Sequence, residues 1–171
     1  MPKRIEVRIS GLGGQGVVLA GEILGRAAVY EGKNAVQTQS YGAEARGTAA
    51  KSEVIISDSR IGFPKVRKCD ILVAMSQSAV EMHLKDLKEN GILIVDEAMV
   101  KHLPETKAKV FKIPATKTAE IYANVAMLGA LAKVTDIVKE KAVEKAIADS
   151  VPETAREANI KAFKEGLKLI V

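Results

Sequence analysis

Six residues near the amino end, Gly11-Leu12-Gly13-Gly14-Gln15-Gly16, constrain this chain more than any others. Before them Ile5, Val7 and Ile9 alternate with polar residues, and after them Val17-Val18-Leu19-Ala20 leads into a helix-compatible segment that runs to Val29. A strand, a glycine-rich turn and a helix in that order begin an α/β sheet of parallel strands. Gly11, Gly13 and Gly16 have the G-x-G-x-x-G spacing, which permits a sharp turn, close approach to a phosphate and tight packing of helix on strand.

That spacing supports two readings. A dinucleotide site of the Rossmann kind also needs an acid about 20 residues further on, at the end of the second strand, to hold the ribose. Here the second strand ends Gln37-Thr38-Gln39-Ser40, Glu31 comes before it, and Glu44 falls beyond it in a glycine-rich loop. The Lys-Ser or Lys-Thr ending of a P-loop is also missing. Gly11, Gly13, Gly14, Gln15 and Gly16 are therefore weak cofactor-site candidates, and a packing turn is the favoured reading.

Further along, apolar runs at 35–39, 50–56, 70–74, 92–95 and 110–113 read as strands. Ser76 is placed to cap a helix through about residue 89, and the chain from Thr116 onward has helical spacing, with Asp136 expected to cap 137–148 and Pro152 to precede a last helix. The expected fold is α/β and Rossmann-like: a mostly parallel sheet flanked by helices, with a helical C-terminal third. No repeat or linker divides the chain, so its 171 residues are read as one domain, 1–171.

The formal charge of +5 comes from interspersed Lys and Arg without a basic tract, and aromatics are only 4%, which argues against nucleic-acid binding. Cys69 is the sole cysteine; one thiol cannot form an internal disulfide or hold a cluster, and it is expected to be a small buried residue in a reducing cytoplasm. Met1-Pro2-Lys3-Arg4 leads into a strand without an apolar leader, and no apolar run reaches membrane-spanning length. His83 is read as a surface residue and His102 as part of a connector, neither at metal-ligand spacing. With no nucleophile elbow and no acid pair, no catalytic or metal-binding residue is assigned. An enzyme-like fold without chemical apparatus points to a subunit whose chemistry lies elsewhere.

The motifs resemble those of the gamma subunits of 2-oxoacid:ferredoxin oxidoreductases, along nearly the whole chain. Gly11–Gly16 is similar to the family's G-x-G-G-Q-G turn, and Ser40-Tyr41-Gly42-Ala43-Glu44-Ala45-Arg46-Gly47 to its S-Y-G-x-E-x-R-G loop. Asp70–Ala74, Gly91–Asp96, Asn124–Ala130 and Asn159–Gly166 follow in the family's order. Ala43 stands where proline is frequent and Thr48 where a second glycine is frequent. Residues 36–41 look most like the 2-oxoglutarate type. The resemblance implies oxidative decarboxylation of a 2-oxoacid to its acyl-CoA, with electrons passed to ferredoxin. It places no cofactor on this chain: thiamine diphosphate, magnesium and iron–sulfur clusters are implied on alpha, beta and in some complexes delta subunits, with coenzyme A as cosubstrate.

Tyr41, Glu44 and Arg46 then have two readings. Glu44 and Arg46 could brace the loop internally, or the three could form a subunit-docking surface, Arg46 offering a planar donor fork and Tyr41 an aromatic anchor. Asn124 is expected to hydrogen-bond a neighbouring loop, and Asn159 to cap or bridge late helices. The rival functions are a free-standing NAD(P)-binding oxidoreductase and a nucleotide-binding regulatory module, both using the glycine turn.

Overall fold

The computed structural model describes residues 3–41 and 49–170. Among them, β1 (Arg4–Leu12), β2 (Asn34–Tyr41), β3 (Ala49–Ser57), β4 (Cys69–Ala74), β5 (Leu87–Asp96) and β6 (Lys109–Ile113) form one sheet in the order β2-β3-β1-β4-β5-β6. β1, β4, β5 and β6 are parallel neighbours. β3 runs antiparallel to both β1 and β2, so β2 points the same way as β1 and only β3 is reversed. The mostly parallel sheet is thus present, with one departure: the strand beside β1 is an inserted hairpin arm.

Four long helices cover one face: α1 (Val17–Tyr30), α4 (Ala123–Thr135), α5 (Glu140–Ser150) and α6 (Glu153–Lys168). Val7 and Ile9 of β1, Val54 and Ile56 of β3, and Ile71 and Val73 of β4 point into them, the two-residue period of a pleated strand. The other face is thinner, with Ile55, Leu72, Leu93 and Val95 packed under the short α2 (Gln77–His83), Val66 and Val100. A register shift between Cys69 and Ile71 turns Cys69 onto this second face with Leu72. β4 and the second half of β5, after exposed Lys88, Glu89 and Asn90, are covered on both sides, which explains their continuous apolar runs.

α3 (Ala115–Ala119) leads into α4, and α4 and α6 approach at Gly129 and Gly166. A Cβ on either glycine would overlap the other helix's backbone, so these motif glycines serve close packing.

Two expected boundaries are corrected. The helix capped by Ser76, whose hydroxyl accepts from Ala79 N–H at 3.1 Å, ends at His83 rather than near residue 89. Leu87 already pairs with Cys69 as the start of β5, and that pairing overrides local helix propensity. Asp136 does not start the next helix but ends α4: it adopts φ 53° and its N–H returns to the Ala132 carbonyl at 2.9 Å, while α5 begins at Glu140. The last helix does follow Pro152.

Candidate functional site at the carboxyl edge of the sheet

The chain leaves β1 through α1 toward β2, and leaves β4 through α2 toward β5, so the connections diverge at the carboxyl ends of two adjacent parallel strands. In open α/β sheets this divergence opens a crevice where ligands bind. Here Gln15 spans it. Its Oε1 accepts from Leu12 N–H at 2.6 Å, and its Nε2 donates to the Met75 carbonyl, just past β4, at 2.9 Å. A Cβ on Gly11 would overlap that Oε1 and crowd Met75 and Val17. The first glycine of the motif thus makes room for the chain's own glutamine.

Gly14 and Gly16 take φ of 92° and 76°, the left-handed region that side chains disfavour. Gly13 lies exposed between Leu12 and Gly14. Gly16 caps α1, and its carbonyl accepts from Ala20 N–H at 3.0 Å and from Asn124 Nδ2 at 3.1 Å. Asn124, at the start of α4, therefore does hydrogen-bond a neighbouring loop. Among the described residues the Asn159 amide bridges to no other helix; Nδ2 turns back to Ala155 within α6 at 2.8 Å.

Gly13, Gly14, Val18, Ala50 and Tyr41 line a depression of about 240 Å³ beside the turn. Tyr41 is 63% exposed there. The fold thus brings the glycine turn and one member of the anticipated docking loop together; Glu44 and Arg46 lie outside the described residues. An acid placed for a ribose is not found among the described residues at the end of β2: Glu31 lies beyond the far end of α1, its Oε2 accepting from Lys139 N–H at 3.1 Å.

A family profile described as pyruvate ferredoxin/flavodoxin oxidoreductase matches residues 6–169. The chain belongs to the pyruvate ferredoxin/flavodoxin oxidoreductase family. The 2-oxoglutarate synthase subunit KorC of Methanocaldococcus jannaschii is 53% identical over 97% of this chain and 94% of its own length. The common gamma subunit of the pyruvate/ketoisovalerate oxidoreductases of Thermococcus litoralis is 34% identical over 98% and 97%. The crystal structure of a keto/oxoacid ferredoxin oxidoreductase gamma subunit from Geobacter sulfurreducens superposes with a TM-score of 0.89 at 44% identity, covering 98% of this chain and 96% of that one. The resemblance first carried by the glycine turn and the residue 40–47 motif thus holds along the whole family domain.

In this family member the buried charges gather around Arg8. Arg8 of β1, 3% exposed, donates to Glu53 Oε2 at 2.7 Å, Asp86 Oδ2 at 2.8 Å and the Val66 carbonyl at 3.1 Å, with His83 Nδ1 at 3.2 Å. Burial pulls the guanidinium down, but the bonds to Asp86 and Glu53 outweigh it and leave its pKa raised. His83, expected at the surface, is 7% exposed; burial first, then Arg8 and Lys51, push its imidazole down to about 4. The expectation failed because α2 folds onto the sheet, turning its last residue inward. Sequence reasoning missed this network, because a cation alternating with Val7 and Ile9 has the pattern of a solvent-facing strand position.

Asp96, fully buried at the end of β5, accepts from Ala98 N–H at 3.3 Å and from the Thr116 hydroxyl, tying together the loops after β5 and β6. His102 serves through its backbone: its N–H and carbonyl bond Gln77 at 2.9 and 2.7 Å. Cys69 is fully buried, and burial pushes its thiol up to about 12 against the opposing pull of Arg8. A lone neutral thiol at that depth does not fit an iron–sulfur cluster, whose ligands are several thiolates. No group of three or more metal-binding side chains occurs among the described residues, nor is any of their helices long and apolar enough to cross a membrane.

Proposed function

We propose that this chain is the gamma subunit of a cytoplasmic 2-oxoacid:ferredoxin oxidoreductase whose substrate is 2-oxoglutarate, and that it contributes architecture rather than a cofactor. The observation that carries this reading is the end-to-end likeness to a 2-oxoglutarate synthase subunit, supported by a crevice between β1 and β4 that the chain's own Gln15 spans. In the assembled enzyme the 2-oxoacid and coenzyme A give acyl-CoA, carbon dioxide, a proton and electrons for ferredoxin. Thiamine diphosphate with magnesium supplies the decarboxylation chemistry and iron–sulfur clusters carry the electrons, all on alpha, beta or delta partners.

This chain's part is to hold its partners through the side chains of Tyr41, Glu44 and Arg46. Co-purification with a tagged version of this chain tests the reading: partners bearing thiamine diphosphate and clusters should be retained, and the complex should reduce ferredoxin with 2-oxoglutarate in preference to pyruvate or 2-oxoisovalerate. The free chain should be colourless and inactive. Turnover by the chain alone, or saturable NAD(P) binding at micromolar concentration, would replace this reading with the free-standing oxidoreductase. A preference for another 2-oxoacid would change only the substrate.

A further inference from the structure

The two edges of the sheet differ. β6 is five residues long and carries Lys109 and Lys112, the short charged form by which proteins keep an edge from pairing. β2 is eight residues long, Asn34 to Tyr41, and pairs with β3 residue for residue without a bulge. It contains no charged residue and no proline. Among the described residues no strand lies on its outer side, and Asn34, Thr38, Gln39 and Ser40 are exposed.

We propose that β2 is a pairing edge for a second copy of this chain, the two strands running antiparallel about a two-fold axis to make one continuous sheet. The chemistry of the strand selects that occupant. A two-fold contact sets a patch against itself, so each charge would face its own like or a near neighbour, and an uncharged strand avoids this in every register. Asn34, Gln39, Thr38 and Ser40 carry amides and hydroxyls, which both donate and accept and so complement themselves. Beside the strand, Val29 is 53% and Tyr30 37% exposed at the end of α1, rimming a depression of about 430 Å³ with Ala35 and Gln37. Two such apolar rims would add side-chain burial to the main-chain bonds. Glu22 and Arg26, paired on α1 at 3.1 Å, give the same rim both signs of charge, a self-matching arrangement.

Sedimentation of the full chain tests this over roughly 1 to 200 µM, the weak end of the affinities that modest interfaces reach. The mass should rise from monomer to dimer across the series. Thr38→Lys with Ser40→Lys sets like charges across the axis and should weaken association at least about tenfold without lowering the melting temperature. If that pair does not fold, Thr38→Cys and Ser40→Cys in separate chains keep the test open. Buried Cys69 will not compete, and mild oxidation should cross-link the copies through these positions but not through an exposed Met82→Cys control. A monomer at every concentration, or association unmoved by the lysines, overturns the proposal. So does protection of β2 amides from exchange only when a different subunit is present, which would assign the edge to that subunit's strand.

Discussion

The Asn124 amide donates to the Gly16 carbonyl across 108 positions of chain, and a Cβ on Gly16 would overlap that same amide. The two residues thus specify one another: the glycine leaves the space that the asparagine fills, and the bond seats the start of α4 on the cap of α1.

Gly16→Ala should therefore destabilise the chain without any ligand, through both its φ of 76° and the displaced amide. A strained backbone position costs roughly 1–3 kcal/mol, and for a chain of this size each kcal/mol lowers the melting temperature by about 2–4 °C. Asn124→Ala, which keeps the backbone, should cost about 0.5–1.5 kcal/mol, as the half-buried Gly16 carbonyl keeps Ala20 N–H and loses only its second donor. Exposed Gly13→Ala should move the melting temperature less than either. Equal losses at Gly13 and Gly16 would show that the strain lies elsewhere in the turn.

Gly11 and Gln15 should behave as a coupled pair. Gly11→Ala drives a methyl into the Gln15 carboxamide, and Gln15→Ala unties Leu12 from Met75, so each alone destabilises. In the double variant the methyl occupies space the amide has left, and the combined loss should fall short of the sum by roughly 0.5–3 kcal/mol, the range for residues in contact. Strict additivity would mean that Gln15 does not occupy the crevice in solution.

Much of this architecture was legible in the sequence, and its failures have definite causes. The apolar runs of β4 and β5, buried on both faces, could be nothing but interior strands, and Pro152 marked the last helix. The reversal of β3 was readable but missed: the interval between Tyr41 and Ala49 is too short for a crossover, which needs about a dozen residues or more, and so dictates a hairpin. Gln15 and Asn124 were visible as motif residues, yet their bonds join segments whose proximity only the sheet order creates. Arg8 and His83 look like surface residues in isolation; β1 became an interior strand with both faces covered, and topology rather than local pattern buried them.

That buried pair gives a pH dependence. The folded imidazole of His83 is held down to about 4, against 6.5 in the unfolded chain, so the stability it contributes is present above pH 6.5 and is lost as pH falls toward 4. The amount is on the order of 3 kcal/mol at one residue. His83→Gln, which keeps an acceptor for Arg8, should flatten the fall in melting temperature between pH 6.5 and 4 relative to the unsubstituted chain. Parallel curves would show that His83 takes its proton without cost.

Arg8→Met should be costlier than any surface change, because it leaves Asp86 without its cation and Glu53, its register partner on β3, with only Lys51 at 3.6 Å. Breaking a buried pair from one side typically costs about 3–5 kcal/mol. The measurement is the denaturant midpoint at neutral pH. A loss below about 1 kcal/mol, the value of an exposed pair, would mean that water reaches the cluster.

Tyr41 separates folding from assembly. It ends β2 at the carboxyl edge, 63% exposed, in the depression beside the glycine turn, so its ring is open to a partner. Tyr41→Ala should leave the free chain within about 0.5 kcal/mol of its original stability, as exposed substitutions usually do. If the ring anchors a partner subunit, retention on a tagged chain should fall by more than about 2 kcal/mol, or some thirtyfold, the threshold of an interface hot spot. Arg46→Ala should act in the same direction, and Arg46→Lys should recover only part of the loss, since an ammonium cannot reproduce a two-pronged contact. A variant of either residue that melts far lower yet keeps its partners would make that side chain an internal brace. Unchanged retention with unchanged melting, at both positions, would move the docking surface away from this edge altogether.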